Sequence, residues 1–353
     1  MAGGIGSRFW PMSRNNFPKQ FIDILGTGET LIQQTYRRFL NVCPKDNIYV
    51  VTNEGYLEHV RQQLPALSES QILAEPMRRN TAPCVAYAAH KIHSLDPKAN
   101  LIVAPSDHII KDEERFRSAV LKGLEFTALG ERLLTIGIQP SRPDTGYGYI
   151  QVQEDHGKEE LSVSRVKTFT EKPNLEMAKF FLKSGEFLWN AGIFVWSADA
   201  ILKAFNDHLP DMHALFEEGK GKYNTADEPE FIKGVYEKCT NISIDYGILE
   251  KAKNVYVLSA EFGWSDLGTW KSLYEHLPHD AAGNAIVGPN VMLDKSSNCI
   301  VNLPKDQLAV IQGLDNYIVV YSDNVLLICP KDDEQQVRNL VNDVKLKKGD
   351  KYI

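Results

Sequence analysis

Leu31, Ile32, Tyr36, Phe39 and Leu40 recur at intervals of three and four residues, and the apolar run in NIYVVT (47–52) follows without any such period. The first spacing predicts an amphipathic helix. The second predicts a buried strand, since a strand covered on both faces needs apolar side chains on both. The same succession then repeats: EGYLEHVRQQL reads as a helix, QILAEP as a strand, APCVAYAAHKIH as a helix, NLIVAP as a strand, DEERFRSAVLKGLEFTAL as a helix and RLLTIGIQ as a strand. Strands that alternate with helices are joined by crossovers, and such sheets hold ligands at the carboxyl ends of their strands.

The fold class is therefore α/β, with a Rossmann-like, mostly parallel mixed sheet covered by helices. From about residue 141 the pattern changes. GYGYIQV and LSVSRVKTFTEKP read as strands of an antiparallel insertion, about 141–265, that also holds the helix NLEMAKFFLKSG and the strand IFVWSA. The polar stretch EHLPHDAAGN (275–284), with Pro278 and Gly283, reads as a linker. It separates a catalytic-size domain, 1–278, from a small C-terminal β module, 285–353, closed by a helix from about 332. A weak hexad spacing of Val287, Leu293 and Cys299 makes a β-helix the expectation for that module.

Composition narrows the function. A net charge of −7 argues against nucleic-acid and membrane-surface partners, which call for a basic face. Five widely spaced cysteines without a CxxC pair indicate neither a disulfide framework nor a zinc site. No apolar run is long enough to span a bilayer, and the first residues lack the layout of a secretion signal, so a cytoplasmic protein is expected. A glycine-rich phosphate loop ordinarily follows a strand, yet almost nothing precedes Gly3; an upstream strand in the complete protein is the expectation.

That loop opens the chain: MAGGIGSRFWPMSRNNFPKQF. A dinucleotide fingerprint would need glycine at Phe9, and no GxxxxGK[ST] is present. What remains is a loop of Gly3, Gly4 and Gly6 whose backbone N–H groups can approach phosphate oxygens. Arg8 follows as a bidentate phosphate grip and Lys19, after the rigid Pro18, as a point charge. A mere turn is the alternative.

The pattern GGIGSRFWPMSRNNFPKQF resembles the signature of the sugar-phosphate nucleotidylyltransferases, and its variations resemble the mannose-1-phosphate guanylyltransferase branch. The resemblance implies the nucleotidyltransferase fold and covers roughly residues 1–275. Ser7 joins the glycines as nucleotide-binding. In EPMRRNTAPCVAYAA (75–89), Thr81 could act as a helix cap, but the segment resembles the guanine-binding stretch of the guanylyltransferases. A carboxylate or an amide can satisfy the donors and the acceptor of a guanine edge, which makes Glu75 and Asn80 base-reading candidates, with Thr81 beside them. VAPSDHII (103–110) ends a strand in Ser106 and Asp107, and GWSDLGTW (263–270) places Asp266 between glycines and tryptophans. Magnesium takes one or two carboxylates plus phosphates and water, and both aspartates correspond to the family's metal ligands. Ser106 falls to the nucleotide and His108 to packing beside the ligand.

Three segments suit a sugar phosphate: PDTGYGYIQ with Gly146, Tyr147 and Gly148, FTEKP with Glu171 and Lys172, and LWNAGIFVW with Asn190. A hairpin turn and a solvated ion pair are the plainer readings of the first two, and Asn190 can donate to and accept from hydroxyls in an apolar setting where an unsatisfied amide would cost free energy. In this order the three segments resemble the family's sugar-binding set within the 141–265 insertion. The resemblance implies GTP and α-D-mannose 1-phosphate as substrates, GDP-mannose and pyrophosphate as products, and Mg2+ or another divalent cation as cofactor. Arg8, Lys19 and Lys172 would carry the catalytic charge, and a homodimer is implied by resemblance alone. Another sugar or nucleotide, or a non-catalytic sugar-nucleotide-binding homologue, are the alternatives. An NAD-binding reading fails for want of the third glycine and of an acidic residue for the ribose. The chain runs only about 70 residues past the linker, too few for the isomerase domain of longer relatives, so a single activity is expected.

Overall fold

The computed structural model describes residues 1–152 and 161–353; of the predicted insertion, 153–160 lie outside the described residues. Close packing divides the chain into two units, neither contiguous in sequence. The first comprises Met1–Gly3, Arg38–Pro105 and Ile110–Trp264, and the second Gly4–Arg37, Ser106–Ile109 and Ser265–Ile353.

In the first unit, strands β1 (Val50–Asn53) and β2 (Ile72–Glu75) pair in parallel, Val50 opposite Ile72. A six-stranded sheet is built from β3 (Asn100–Val103), β4 (Leu133–Ile138), β5 (Tyr149–Val152), β6 (Val163–Thr170), β7 (Phe187–Ser197) and β8 (Val255–Ser259), in the order β3-β7-β4-β8-β6-β5. β4 and β8 are parallel, while β7 is antiparallel to β3, β4 and β5, and β6 to β8 and β5. Four strands thus share one direction and β6 and β7 oppose it. All six residues of β4 are buried, as its unbroken apolar run requires of a strand covered on both faces. Helices Thr81–Leu95 and Glu113–Thr127 fall where the 3.6-residue period placed them.

The pattern gave no reading for 198–254, which holds helices Ala198–His208, Pro210–Glu217 and Glu228–Lys238. The next strand, β8, enters the sheet beside β4. At the chain's start the Ala2 N–H donates to the Val51 carbonyl at 2.7 Å and the Met1 amine to the Ala104 carbonyl at 2.8 Å. These two residues run beside β1 and reach the end of β3 before the glycine loop begins.

In the second unit, β9 (Ala285–Val287), β11 (Ile300–Asn302) and β13 (Tyr317–Ser322) form a parallel ladder with Ala285, Ile300 and Ile318 in register. A second parallel pair joins β10 (Val291–Asp294) to β12 (Ala309–Gln312). Stacked parallel rungs on two faces are the geometry of a β-helix. β14 (Val325–Pro330) closes the ladder antiparallel to β13, and helix Val337–Lys348 follows a 3-10 segment, Lys331–Gln336. One apolar core joins Phe9, Trp10, Ile22, Ile24 and Leu31 from the glycine-loop region to Trp270 and Leu273 and to Ile300, Ile318 and Leu327 of the rungs. Trp10 Nε1 donates to the Tyr352 carbonyl at 2.6 Å, and Arg14 Nη2 to the Ser322 and Asp323 carbonyls. The glycine-loop region is therefore mounted on the C-terminal module.

All five cysteines are free, and four are buried. Among the described residues no helix is long and apolar enough to cross a membrane.

Candidate active site

Within the second unit an open cleft of about 380 Å³ is lined by Gly6, Ser7, Arg8, Lys19, Asp107, His108, Asp266, Gly268 and Arg338, among others. Gly6 has φ of 67°, and a Cβ there would lie 2.5 Å from the Lys19 Cβ, so this position of the loop needs glycine for both conformation and space. The next three residues, Ser7–Phe9, form a 3-10 turn that carries Arg8 toward the cleft, while Phe9 is buried against Trp270. Gly4 is held from outside by Gln20 Nε2, which donates to its carbonyl.

The Lys19 ammonium, expected to meet a phosphate as a point charge, is used three times within the protein. It donates to the Asp266 and Leu267 carbonyls at 2.9 and 3.0 Å and pairs with Asp107 Oδ2 at 2.9 Å. Only 4% of Lys19 is exposed. Three donors and three acceptors close the account for this buried cation. Its work is to lock together the two segments that carry the predicted metal ligands. Burial raises the Asp107 pKa, but the Lys19 charge, His108 and the Lys19 hydrogen bond outweigh it and hold the carboxyl below its ordinary range. Asp266 Oδ1 accepts from the Gly268 N–H at 3.0 Å.

Arg8 is differently placed. Its Nη1 makes only a long 3.5 Å contact with the Gly268 carbonyl, and its buried Nε has no partner. Ser106, also buried, has an unpartnered Oγ, and its carbonyl accepts from Thr35 Oγ1. Among the described residues no three His, Cys, Asp or Glu side chains converge as a metal cage. Among the described residues lining the cleft, Asp107 and Asp266 are the carboxylates that could meet a hard cation.

In the first unit the base-reading candidates lie at the carboxyl end of β2. Glu75, its last residue, is buried with Gly3 against its carboxylate, and accepts from the Tyr236 hydroxyl at 2.9 Å. Burial pushes this carboxyl up to about 7, against the Tyr236 hydrogen bond, which favours the charged form. The helix cap is Asn80, not Thr81: Asn80 has φ of 67° and its Oδ1 accepts from the Thr81 N–H. Thr81 is already helical, and its Oγ1 accepts instead from the Ile244 N–H at 2.9 Å. Asn80 is exposed and its Nδ2 has no hydrogen-bond partner among the described residues.

The sugar candidates lie in the same unit and are linked through the backbone: the Asn190 N–H donates to the Gly148 carbonyl at 2.8 Å and the Lys172 N–H to the Tyr147 carbonyl at 3.2 Å. Asn190 Oδ1 accepts from Thr135 Oγ1 at 2.7 Å and from the Gly192 N–H at 3.1 Å, and its Nδ2 donates to Asp245 Oδ1 at 2.9 Å. Glu171 pairs with Lys172, the carboxylate buried and the ammonium mostly exposed. A Cβ on Gly148 would stand 2.5 Å from Glu171 Oε2, so glycine at this position leaves room for that carboxylate. The Tyr147 ring, a sugar-phosphate candidate, is buried edge-on between Trp189 and Trp264. Gly146 closes a turn whose N–H donates to Asp144 Oδ1.

Asp245 was missed by the sequence reading. It opens a π-helical turn, Asp245–Leu249, a local form that recurs at functional sites. Burial first, then the Glu171 charge, push its carboxyl up to about 6, opposed by Lys172 and the Asn190 hydrogen bond. The signal available was a lone acid in the apolar run ISIDYGIL. Arg338 was also missed, and nothing local distinguishes it from any arginine on a polar helix.

Comparison with known proteins fits both halves. Residues 1–283 match the family described as nucleotidyl transferase, and residues 288–344 the MannoseP isomerase/GMP-like beta-helix domain. The chain is 35% identical to a mannose-1-phosphate guanylyltransferase of Escherichia coli K12, over 98% of this chain and 72% of that protein. It is 36% identical to one of Salmonella montevideo, over the whole chain and 74% of that protein. A crystal structure described as mannose-1-phosphate geranyltransferase, from Thermus thermophilus, superposes with a TM-score of 0.87 at 29% identity over 98% of each chain.

Proposed function

Because the chain belongs to the nucleotidyl transferase family, we propose that it transfers GMP from GTP to α-D-mannose 1-phosphate, releasing pyrophosphate and GDP-mannose. The observation that carries the reading is one cleft that gathers the glycine loop, Arg8, Lys19, Asp107 and Asp266. A phosphate oxygen of the sugar phosphate attacks the α-phosphorus in line. As that P–O bond forms, the bond to the β-phosphate breaks and its electron pair leaves on pyrophosphate. No side chain need act as nucleophile, so catalysis is positioning and charge stabilisation.

Each residue then has a defined task. Backbone N–H groups of the glycine loop and the Arg8 guanidinium hold phosphate oxygens; Lys19 fixes Asp107 and the Asp266–Leu267 backbone relative to one another. Asp107 and Asp266 are the residues that would hold Mg2+ or another divalent cation, which when bound neutralises charge on the reacting phosphates. Glu75 accepts from the guanine N1–H and N2–H, and the Asn80 amide donates to O6. Glu171, Asp245 and Asn190 orient the sugar hydroxyls and Lys172 meets the sugar's phosphate. A cytoplasmic homodimer of this enzyme is part of the same reading.

The test is a substrate panel scored by pyrophosphate release, with GTP, ATP, UTP and dTTP against mannose 1-phosphate and glucose 1-phosphate. GTP with mannose 1-phosphate should be the preferred pair by at least about tenfold in kcat/KM. A better rate with another pair would move the assignment within the family, and no turnover with any pair would make the chain a binding homologue.

A further inference from the structure

Arg338 lines the phosphate cleft but belongs to none of the motifs read from the sequence. It is the second residue of helix Val337–Lys348, whose Val337 is fully buried in the second unit's core. The segment before it is fixed in the same unit. Glu334 Oε2 accepts from the Lys271 N–H at 2.8 Å, and Lys331 Nζ donates to the Asn298 carbonyl at 2.7 Å while lying 3.5 Å over the Tyr274 ring. The backbone that carries Arg338 is therefore held at the cleft. Its side chain is exposed and makes no ion pair or hydrogen bond among the described residues.

Helix stability does not account for this position. A cation in the first turn opposes the helix dipole, and that turn contains no acidic residue to offset it. The cleft does account for it. With Lys19 held by Asp107 and two carbonyls, Arg8 and Arg338 are the two arginines that line the cleft among the described residues and can meet an incoming anion there.

We propose that Arg338 binds the polyphosphate of the nucleoside triphosphate together with Arg8, and holds the leaving pyrophosphate, so that the C-terminal module contributes a substrate-binding residue to the reaction. The inference rests on the function proposed above. A planar guanidinium suits this task because its N–H groups match two phosphate oxygens at once, whereas a lysine supplies charge without the fork.

The experiment compares wild type, Arg338→Ala and Arg338→Lys in two ways: steady-state kinetics in both directions, and calorimetric titration with magnesium pyrophosphate alone. The alanine variant should raise the KM for GTP and the Kd for pyrophosphate by about tenfold, a cost of about 1.4 kcal/mol. The KM for mannose 1-phosphate and the melting temperature should stay unchanged, and lysine should recover only part of the loss. If wild type turns over and Arg338→Ala keeps both values within about twofold, the inference is wrong while the function stands. If wild type does not turn over, the function fails, and the pyrophosphate titration still decides on Arg338. Should alanine lower the melting temperature, the lysine variant, which keeps the stem, carries the comparison.

Discussion

Replacing Lys19 by methionine keeps an apolar stem of similar length but leaves the Asp107 carboxylate and the Asp266 and Leu267 carbonyls without their donor. Asp107 is over a quarter exposed, so water relieves part of the penalty; a loss of about 2 kcal/mol is expected, below the full cost of breaking a buried pair. Turnover should fall by about 100-fold, because both predicted metal ligands lose their fixed positions. Thermal melting and kinetics on the one variant check both parts. Glu75 supplies a pH test. Its carboxyl stands near 7 in the folded chain against 4.5 ordinarily, so folding takes up a proton between those values. Its contribution to stability is fully present below about 4.5 and is lost as pH rises through 7. Glu75→Gln should flatten that part of the stability curve. If Glu75 reads guanine as a carboxylate, the KM for GTP should fall from about pH 6 to about pH 8 in wild type and lose that trend in the glutamine variant.

At the scale of elements, the short loops around β5 and β7 matter more than the strands they join. Gly148→Ala would drive a methyl group to 2.5 Å from Glu171 Oε2, displacing that carboxylate from beside Asn190. The KM for mannose 1-phosphate should rise about tenfold, near 1.4 kcal/mol, with the KM for GTP unchanged. An equal rise in both would separate Gly148 from the sugar. Helix Thr81–Leu95 makes a related point. Asn80 caps it in a left-handed conformation, and Thr81 uses its hydroxyl to tie the helix start to the chain just before Asp245. The motif RNTAP therefore builds local structure as well as offering an amide to a base. The unbroken apolar run of β4 and the 3.6-residue period of helix Glu113–Thr127 were legible from consecutive residues alone. The helix Ala198–His208 carries the same kind of signal in the spacing of Ala198, Ile201, Leu202 and Phe205.

In the molecule as a whole, the second unit fastens the glycine-loop region to the C-terminal rungs. Its core joins residues near the glycine loop to the parallel rungs, so a chain ending at Asn284 would uncover Ile22, Ile24, Leu31 and Trp270. Each buried aliphatic side chain contributes about 1.5–3 kcal/mol, and losing several approaches the whole stability of a domain. The truncated chain should be poorly soluble and inactive, by centrifugation and by the pyrophosphate assay; a soluble, active 1–284 fragment would show that the module is dispensable. The α/β class and the order of the motifs were legible in the sequence alone, because each is a property of residues close together in the chain; the β-helix left only a weak hexad spacing there, and its parallel rungs are what the tertiary structure supplies. Which groups are spent on one another was decided only by the tertiary structure. Lys19 turned out buried on partners as far as 248 residues away, Asn190 bound to Asp245, Tyr147 packed between tryptophans, and Arg338 brought to the glycine loop. Burial and hydrogen-bond satisfaction depend on the neighbours that folding supplies, and a motif does not contain its distant neighbours.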